Sequence, residues 1–171
     1  MPDSTGFAPI ADHDARVLIL GSLPGVLSIQ QQQYYAHPRN AFWRIIGDVL
    51  TIAPTLPYED RYLALKGAGV ALWDVCASAQ RAGSLDAAIK NQVANDFVTF
   101  FAAHSRLAHI VFNGQKAAAL YRKMVFDRLP EAAQRLPTSV LPSTSPANAG
   151  MSYEEKIRRW RSALASAIAG R

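Results

Sequence analysis

Three apolar runs restrict what this chain can fold into: RVLILG at Arg16–Gly21, GVALWDV at Gly69–Val75 and AHIVFN at Ala108–Asn113. None alternates apolar with polar residues, as a strand with one wet face would. Continuous runs of this length fit strands buried on both sides. A shorter run, TSVLP at Thr138–Pro142, reads as a fourth strand. Helical spacing fills the gaps. A helix is predicted to begin near Ala41, with Asn40 placed to cap it and Phe42, Ile45, Ile46 and Val49 along one face. Others are predicted over Tyr58–Lys66, weakly over Leu85–Lys90, over Asp96–Ala103 with Phe97, Phe100 and Phe101 inward, and over Gln115–Arg128. The last helix opens on a capping box, Ser152 with Glu155, and carries Ile157, Trp160, Leu164 and Ile168 in one stripe.

Strands buried on both faces need helices on both faces. The expectation is therefore an α/β fold, a three-layer α/β/α sandwich around a short, mostly parallel central sheet of about four strands. The length suits a single domain over residues 1–171, with 1–14 as a loosely ordered N-terminal arm. Ligands of such sheets bind beyond the carboxyl ends of the strands. Each unusual segment here follows a strand: GSLPG and YYAHPRN the first, Trp73 and Asp74 at the end of the second, Asn113 and Gly114 after the third, LPSTSPAN after the fourth. These segments should converge on one rim.

The 18 Lys and Arg exceed 13 Asp and Glu, a net charge of +5 that suits a polyanionic partner, nucleic acid above all. Cys76 is the single cysteine, so no internal disulfide can form and a reducing compartment is expected. The expected location is cytoplasmic, on the nucleoid in a prokaryote. No apolar stretch approaches the roughly 20 residues that span a bilayer, and no membrane partner is expected.

The stretch YYAHPRNAFW, Tyr34–Trp43, places four aromatics within ten residues just after the first strand and its turn. Gly21, Pro24 and Gly25 mark a turn that a backbone or ligand can approach closely. GSLPG is neither a GxGxxG fingerprint nor a phosphate loop, since no Gly-Lys-Ser/Thr follows. Ser28, His37 and Asp74 could be assembled into a hydrolase triad, but the sequence has no GxSxG elbow. His104 and His109 stand five apart with no Cys, Asp or Glu at matching spacing, so no metal is implied. Cys76, Trp160 and the phenylalanines of 96–103 read as core. The run Lys156, Arg158, Arg159 and Arg161 is either a solvated helix face or a place to touch phosphates. Asp74 closes an apolar strand; it could cap a helix or, beside a base-sized pocket, read the edge of a heterocycle.

These residues resemble a known family. GSLPG followed by YAHPRNAFW is similar to the first motif region of the uracil-DNA glycosylase superfamily, whose mismatch-specific branch reads G-x-N-P-G and then F-A-H-P-x-N-R-F-W. LPSTSPAN stands where that superfamily keeps the loop that enters DNA beside the extruded nucleotide. VFNG, Val111–Gly114, resembles a stretch of the thymine-DNA glycosylase branch. The departures matter too. Leu23 occupies the position where many branches carry the Asn or Asp that holds the attacking water, and Leu141 stands where the second motif often opens with His or Asn. That combination, with GVALWDV and the later GSLD, resembles the hypoxanthine-DNA (deoxyinosine) glycosylase branch, in which the Asn of H-P-x-N is catalytic.

The resemblance implies a monofunctional enzyme, without cofactor, that flips a deaminated base out of double-stranded DNA and hydrolyses its N-glycosidic bond. Asn40 is then the catalytic residue. Ser22, Tyr35, Asp74 and Asn113 are base-binding candidates, Tyr35 by stacking and Asp74 by its carboxylate, while Asn113 could instead cap the helix after Gly114. Gly21, Leu23, Pro24, Gly25 and His37 shape the first loop, and Pro142, Ser143, Thr144, Ser145, Pro146, Ala147 and Asn148 form the DNA-contacting loop. Single-stranded DNA is a further candidate substrate, and a monomer is the expected state. Two other readings stay open: a uracil or mismatch glycosylase, and a non-catalytic binder of extruded bases or single strands.

Overall fold

The computed structural model describes residues 3–81 and 89–169. Four strands, β2 (Val17–Gly21), β3 (Val70–Asp74), β6 (His109–Asn113) and β7 (Thr138–Leu141), form one sheet in the order β3-β2-β6-β7. All three pairings are parallel. Because β2 lies between β3 and β6, the chain leaves β2 toward one side and later returns to the other. Its carboxyl end is the point where the strand order reverses, and in such sheets this is where a crevice opens.

Successive residues of a strand face opposite ways, so the continuous apolar runs feed two cores. Leu18, Leu20, Ala71, Trp73, Ile110 and Phe112 pack with α4 (Phe97–Ala103) and α5 (Gln115–Met124). Val17, Ile19, Val70, Leu72 and Val111 pack on the other face with α2 (Phe42–Leu50), α3 (Tyr58–Gly67) and α7 (Tyr153–Ala169). The result is the expected α/β/α layering. Three helix starts follow from local chemistry. Asp96 caps α4 by accepting from the Thr99 N–H. Ser152 Oγ accepts from the Glu155 N–H at 3.2 Å at the start of α7. The Glu155 carboxylate does not complete the reciprocal box; it binds Arg158 and Arg159 instead. Asn40 lies one residue ahead of the α2 N-cap, Ala41, and its Oδ1 accepts from the Phe42 N–H at 2.9 Å, an Asx turn.

The sequence reading missed a second sheet. β1 (Asp3–Thr5), β4 (Cys76–Arg81) and β5 (Ile89–Ala94) pair antiparallel in the order β1-β4-β5. CASAQR and IKNQVA are short, polar and bulged, so neither periodicity test responds to them. The weak helix expected over Leu85–Lys90 is corrected at its end, where Ile89 and Lys90 begin β5; residues 85–88, and with them GSLD, lie outside the described residues. Residues 1–14, expected as a loose arm, are tied down where described. Asp3–Thr5 pairs with β4, and Ile10 bonds both ways to Leu72 across the outer edge of β3. Two shorter corrections follow. The segment Ser22–Asn40, read as loop, contains α1 (Val26–Gln31), and the helix expected through Arg128 ends at Met124 and continues as a 3-10 turn over Phe126–Arg128.

Candidate active site

In-register pairing puts the site residues side by side at the rim. Gly21 of β2 is level with Asp74 of β3, and Asn113 of β6 is level with Leu141 of β7. The loops that leave these ends enclose a cleft of about 600 Å³. Its walls include Gly21, Ser22, Leu23, Gly25, His37, Asn40 and Tyr35 from the first loop, Asp74 and Asn113 from strand ends, and Pro142 through Asn148 from the last loop. Pro24 is the one site candidate outside the lining; its carbonyl instead accepts a hydrogen bond from the buried Arg81 guanidinium of β4.

Gly21 has to be glycine for lack of space. A Cβ there would lie 2.4 Å from Asp74 Oδ1 and 2.8 Å from the Tyr35 hydroxyl. The floor of the cleft thus brings a carboxylate and a phenol together over a bare backbone. Asp74 is 3% exposed, and Ser22 is also buried. The chain continues past the rim in step, since the Val75 and Cys76 N–H groups donate to the Gly21 and Ser22 carbonyls.

The aromatic stretch is held as a wall. Tyr35 adopts φ 54°, a left-handed conformation that costs a bulky residue energy and persists only where surroundings impose it. Its ring stacks on Phe42 with centroids 4.2 Å apart. Phe42 is fully buried and meets Trp43 and Trp160 edge-on. The Trp43 indole N–H donates to the Tyr34 carbonyl at 2.8 Å, and the Tyr34 hydroxyl donates to the Ala8 carbonyl at 2.9 Å. Burial, reinforced by the nearby Asp74 charge, raises the Tyr34 hydroxyl far above its ordinary pKa, so it stays a donor. Ser28 Oγ accepts from the Ala36 N–H, and His37 Nδ1 accepts from the Arg39 N–H. Tyr34, Phe42 and Trp43 therefore support the wall that Tyr35 presents to the cleft.

Another wall is the Ser143–Asn148 loop, built from local polar bonds: Ser145 N–H to Ser143 Oγ, Ala147 N–H to Ser145 Oγ, and Asn148 Nδ2 to the Ser143 carbonyl. Its base is pinned by the Trp160 indole N–H on the Pro142 carbonyl at 2.9 Å. Gly114 makes room for it, with φ 98° and a position where a Cβ would come within 3.1 Å of Ser143 Cβ. Asn113 does not cap α5 with its side chain. Its amide joins Thr144 at both ends, Nδ2 donating to Thr144 Oγ1 and Oδ1 accepting from the Thr144 N–H, each at 2.9 Å.

Several cleft residues were not singled out from the sequence. Val26 and Leu27 of α1, Gln115 and Met151 also line it. Nothing in composition or spacing flags them. The basic run on α7 divides: Arg159 reaches the cleft, Arg158 pairs with Glu155, and Lys156 is buried, which lowers its pKa. A single solvated face is thus ruled out for Lys156. His104 and His109 sit apart from the cleft, His104 stacked on Phe100 and His109 bonded through Nε2 to Ser139 Oγ. Among the described residues no group of three or more His, Cys, Asp or Glu could hold a metal ion.

Comparison with known proteins decides the family. Residues 8–166 match the family model of the uracil DNA glycosylase superfamily. The chain belongs to that superfamily. A hypoxanthine DNA glycosylase from Methanosarcina acetivorans is 38% identical over 147 residues, 84% of this chain and 87% of the relative. One from Methanosarcina barkeri is 40% identical over 113 residues, 66% of this chain and 72% of the relative. A solution NMR structure from Methanosarcina acetivorans, described as a candidate uracil DNA glycosylase, superposes with a TM-score of 0.82 at 34% identity, covering 97% of this chain and 99% of that one. Membership of this superfamily makes DNA the substrate polymer. No helix among the described residues is long and apolar enough to cross a membrane.

Proposed function

We propose that this superfamily member is a monofunctional DNA glycosylase that extrudes a deaminated base, hypoxanthine first, from double-stranded DNA and hydrolyses its N-glycosidic bond. The observation that carries the reading is that Asn40 lines the same cleft as Tyr35 and Asp74, while Leu23 and Leu141 bring no polar side-chain atom to that space. The names and identities of the two Methanosarcina relatives support the choice of hypoxanthine.

An enzyme acting on a base inside a duplex must rotate the nucleotide out of the stack and grip it between flat surfaces. Tyr35, backed by Phe42, offers such a surface. As the bond breaks, the sugar approaches an oxocarbenium ion and negative charge grows on the departing base. Asn40 is too weak a base to deprotonate water. Its Oδ1 already accepts from the Phe42 N–H, which fixes the amide, and a second lone pair on that oxygen is available to hold a water. Catalysis then rests on positioning and electrostatics. The backbone N–H groups at Ser22 and Tyr35 are candidate donors to the base. Asp74, ionised, would accept the N1–H of hypoxanthine. No lysine is among the described residues lining the cleft, so no Schiff base and no strand cleavage are expected.

The loop Ser143–Asn148 carries no large apolar wedge, which suits shallow insertion beside the vacated base position. A monomer is the working state of this reading.

The test is release of free base, with EDTA present, from matched duplexes and single strands carrying one deoxyinosine, deoxyuridine or deoxyxanthosine. Wild type should release hypoxanthine, and Asn40→Ala should lose on the order of 10²- to 10³-fold in rate. Release of uracil alone would move the assignment to a uracil glycosylase. Tight binding without any base release would make the protein a binder of extruded bases.

A further inference from the structure

Asn113 and Thr144 are 31 residues apart in sequence and form a closed two-bond ring at the base of the cleft. Thr144 is 1% exposed and Asn113 9%, so both bonds are screened from solvent. Thr144 then reaches further. Its carbonyl accepts the Ala41 N–H at 3.0 Å, and Ala41 directly follows Asn40. One threonine therefore ties the end of β6, the 143–148 loop and the catalytic segment into a single linkage. The other bonds described within the 143–148 loop are local to it, and the Pro142 and Leu141 anchors lie before it.

We infer that Asn113 and Thr144 are a positioning pair that sets Asn40 and the DNA-contacting loop relative to each other, with Asn113 acting through Thr144 rather than by reading the base. This rests on the glycosylase reading above. A buried amide engaged at both ends is oriented by its protein partners before any base arrives. Asn113→Ala removes both bonds that hold Thr144 and Thr144→Val removes one, which loosens the segment whose backbone carbonyl receives the Ala41 N–H. A displacement of about 1 Å at a water-holding group can cost on the order of 100-fold in rate.

The experiment is a double-mutant cycle on the single-turnover rate with saturating enzyme, using Asn113→Ala, Thr144→Val and the double variant on deoxyinosine and deoxyuridine duplexes. Each single variant should slow release by about ten- to a hundred-fold, by the same factor for both lesions. The double variant should be no slower than the worse single one. Thr144→Ser, which keeps the hydroxyl, should recover most of what Thr144→Val loses. Losses that multiply in the double variant, or a change of lesion preference in Asn113→Ala alone, would overturn the pairing and make Asn113 a base contact. Amide hydrogen exchange gives a second readout that does not need activity. In Asn113→Ala the Thr144 and Ala41 amides should exchange faster while core β2 amides hold; unchanged protection at both would overturn the inference. If wild type releases no base but exchange responds as stated, the linkage stands and the glycosylase reading fails.

Discussion

Tyr35 lies on Phe42 with ring centroids 4.2 Å apart and planes 25° from parallel, and it holds a left-handed backbone conformation to do so. The stack fixes the tyrosine plane before any substrate is present, which reduces the ordering cost of receiving a base. Tyr35→Ala should weaken capture of the extruded base by about 1–3 kcal/mol, the usual worth of a base–aromatic stack. Tyr35→Phe should keep most of it. Single-turnover titration of enzyme against deoxyinosine duplex reads the difference, and equal behaviour of the two variants would remove Tyr35 from the base contact.

Gly21→Ala should abolish base release while leaving the fold intact. The added methyl would press on Asp74 Oδ1 and the Tyr35 hydroxyl, displacing the two groups proposed to contact the base. Far-UV circular dichroism close to wild type together with lost activity is the expected result. Full activity would show that the floor of the cleft yields.

Asp74→Asn tests the edge reading. The carboxylate only accepts hydrogen bonds, whereas the amide also donates, so uracil release should rise relative to hypoxanthine release. Competition between the two lesions in one reaction measures the ratio directly. An unchanged ratio would assign discrimination elsewhere.

Trp160→Phe keeps an aromatic in the core but leaves the Pro142 carbonyl without the indole N–H. The cost should be about 1–3 kcal/mol of stability. In a chain of this size each kcal/mol lowers Tm by roughly 2–4 °C. Thermal unfolding and base release should fall together, because the same bond anchors the 143–148 loop.

His109 provides a pH prediction away from the cleft. Burial lowers its pKa below the ordinary 6.5, so the folded state favours neutral imidazole, bonded to Ser139. The associated stability is complete above 6.5 and is lost as pH falls from there through the lower folded value. Urea unfolding between pH 7.5 and 5 should show this slope in wild type, and His109→Gln should flatten it.

The periodicity of the chain was enough to place β2, β3, β6 and β7, the helices α2, α3, α4 and α7, and the rim on which the site would form. Most of those elements bury continuous apolar runs or broad stripes, and burial leaves a record in residue type. The exceptions are β7, mostly exposed, and α3, which buries only Leu65; they showed themselves by length and by the glycines and prolines around them. Asn40 and Tyr35 were legible through the resemblance of YAHPRNAFW to the superfamily's first motif, and Asp74 as a carboxylate closing an apolar strand; all three line the cleft. The second sheet was not legible. CASAQR holds IKNQVA on one side and Asp3–Thr5 on the other by backbone pairing, and such pairing asks little of the side chains. The partners of Asn113 were also decided only by tertiary structure. A strand-end asparagine can cap a helix, read a base or grip a loop, and its own sequence neighbourhood is the same in each case. Folding brought Thr144 within 2.9 Å of both ends of its amide, and that proximity joined the two loops of the cleft.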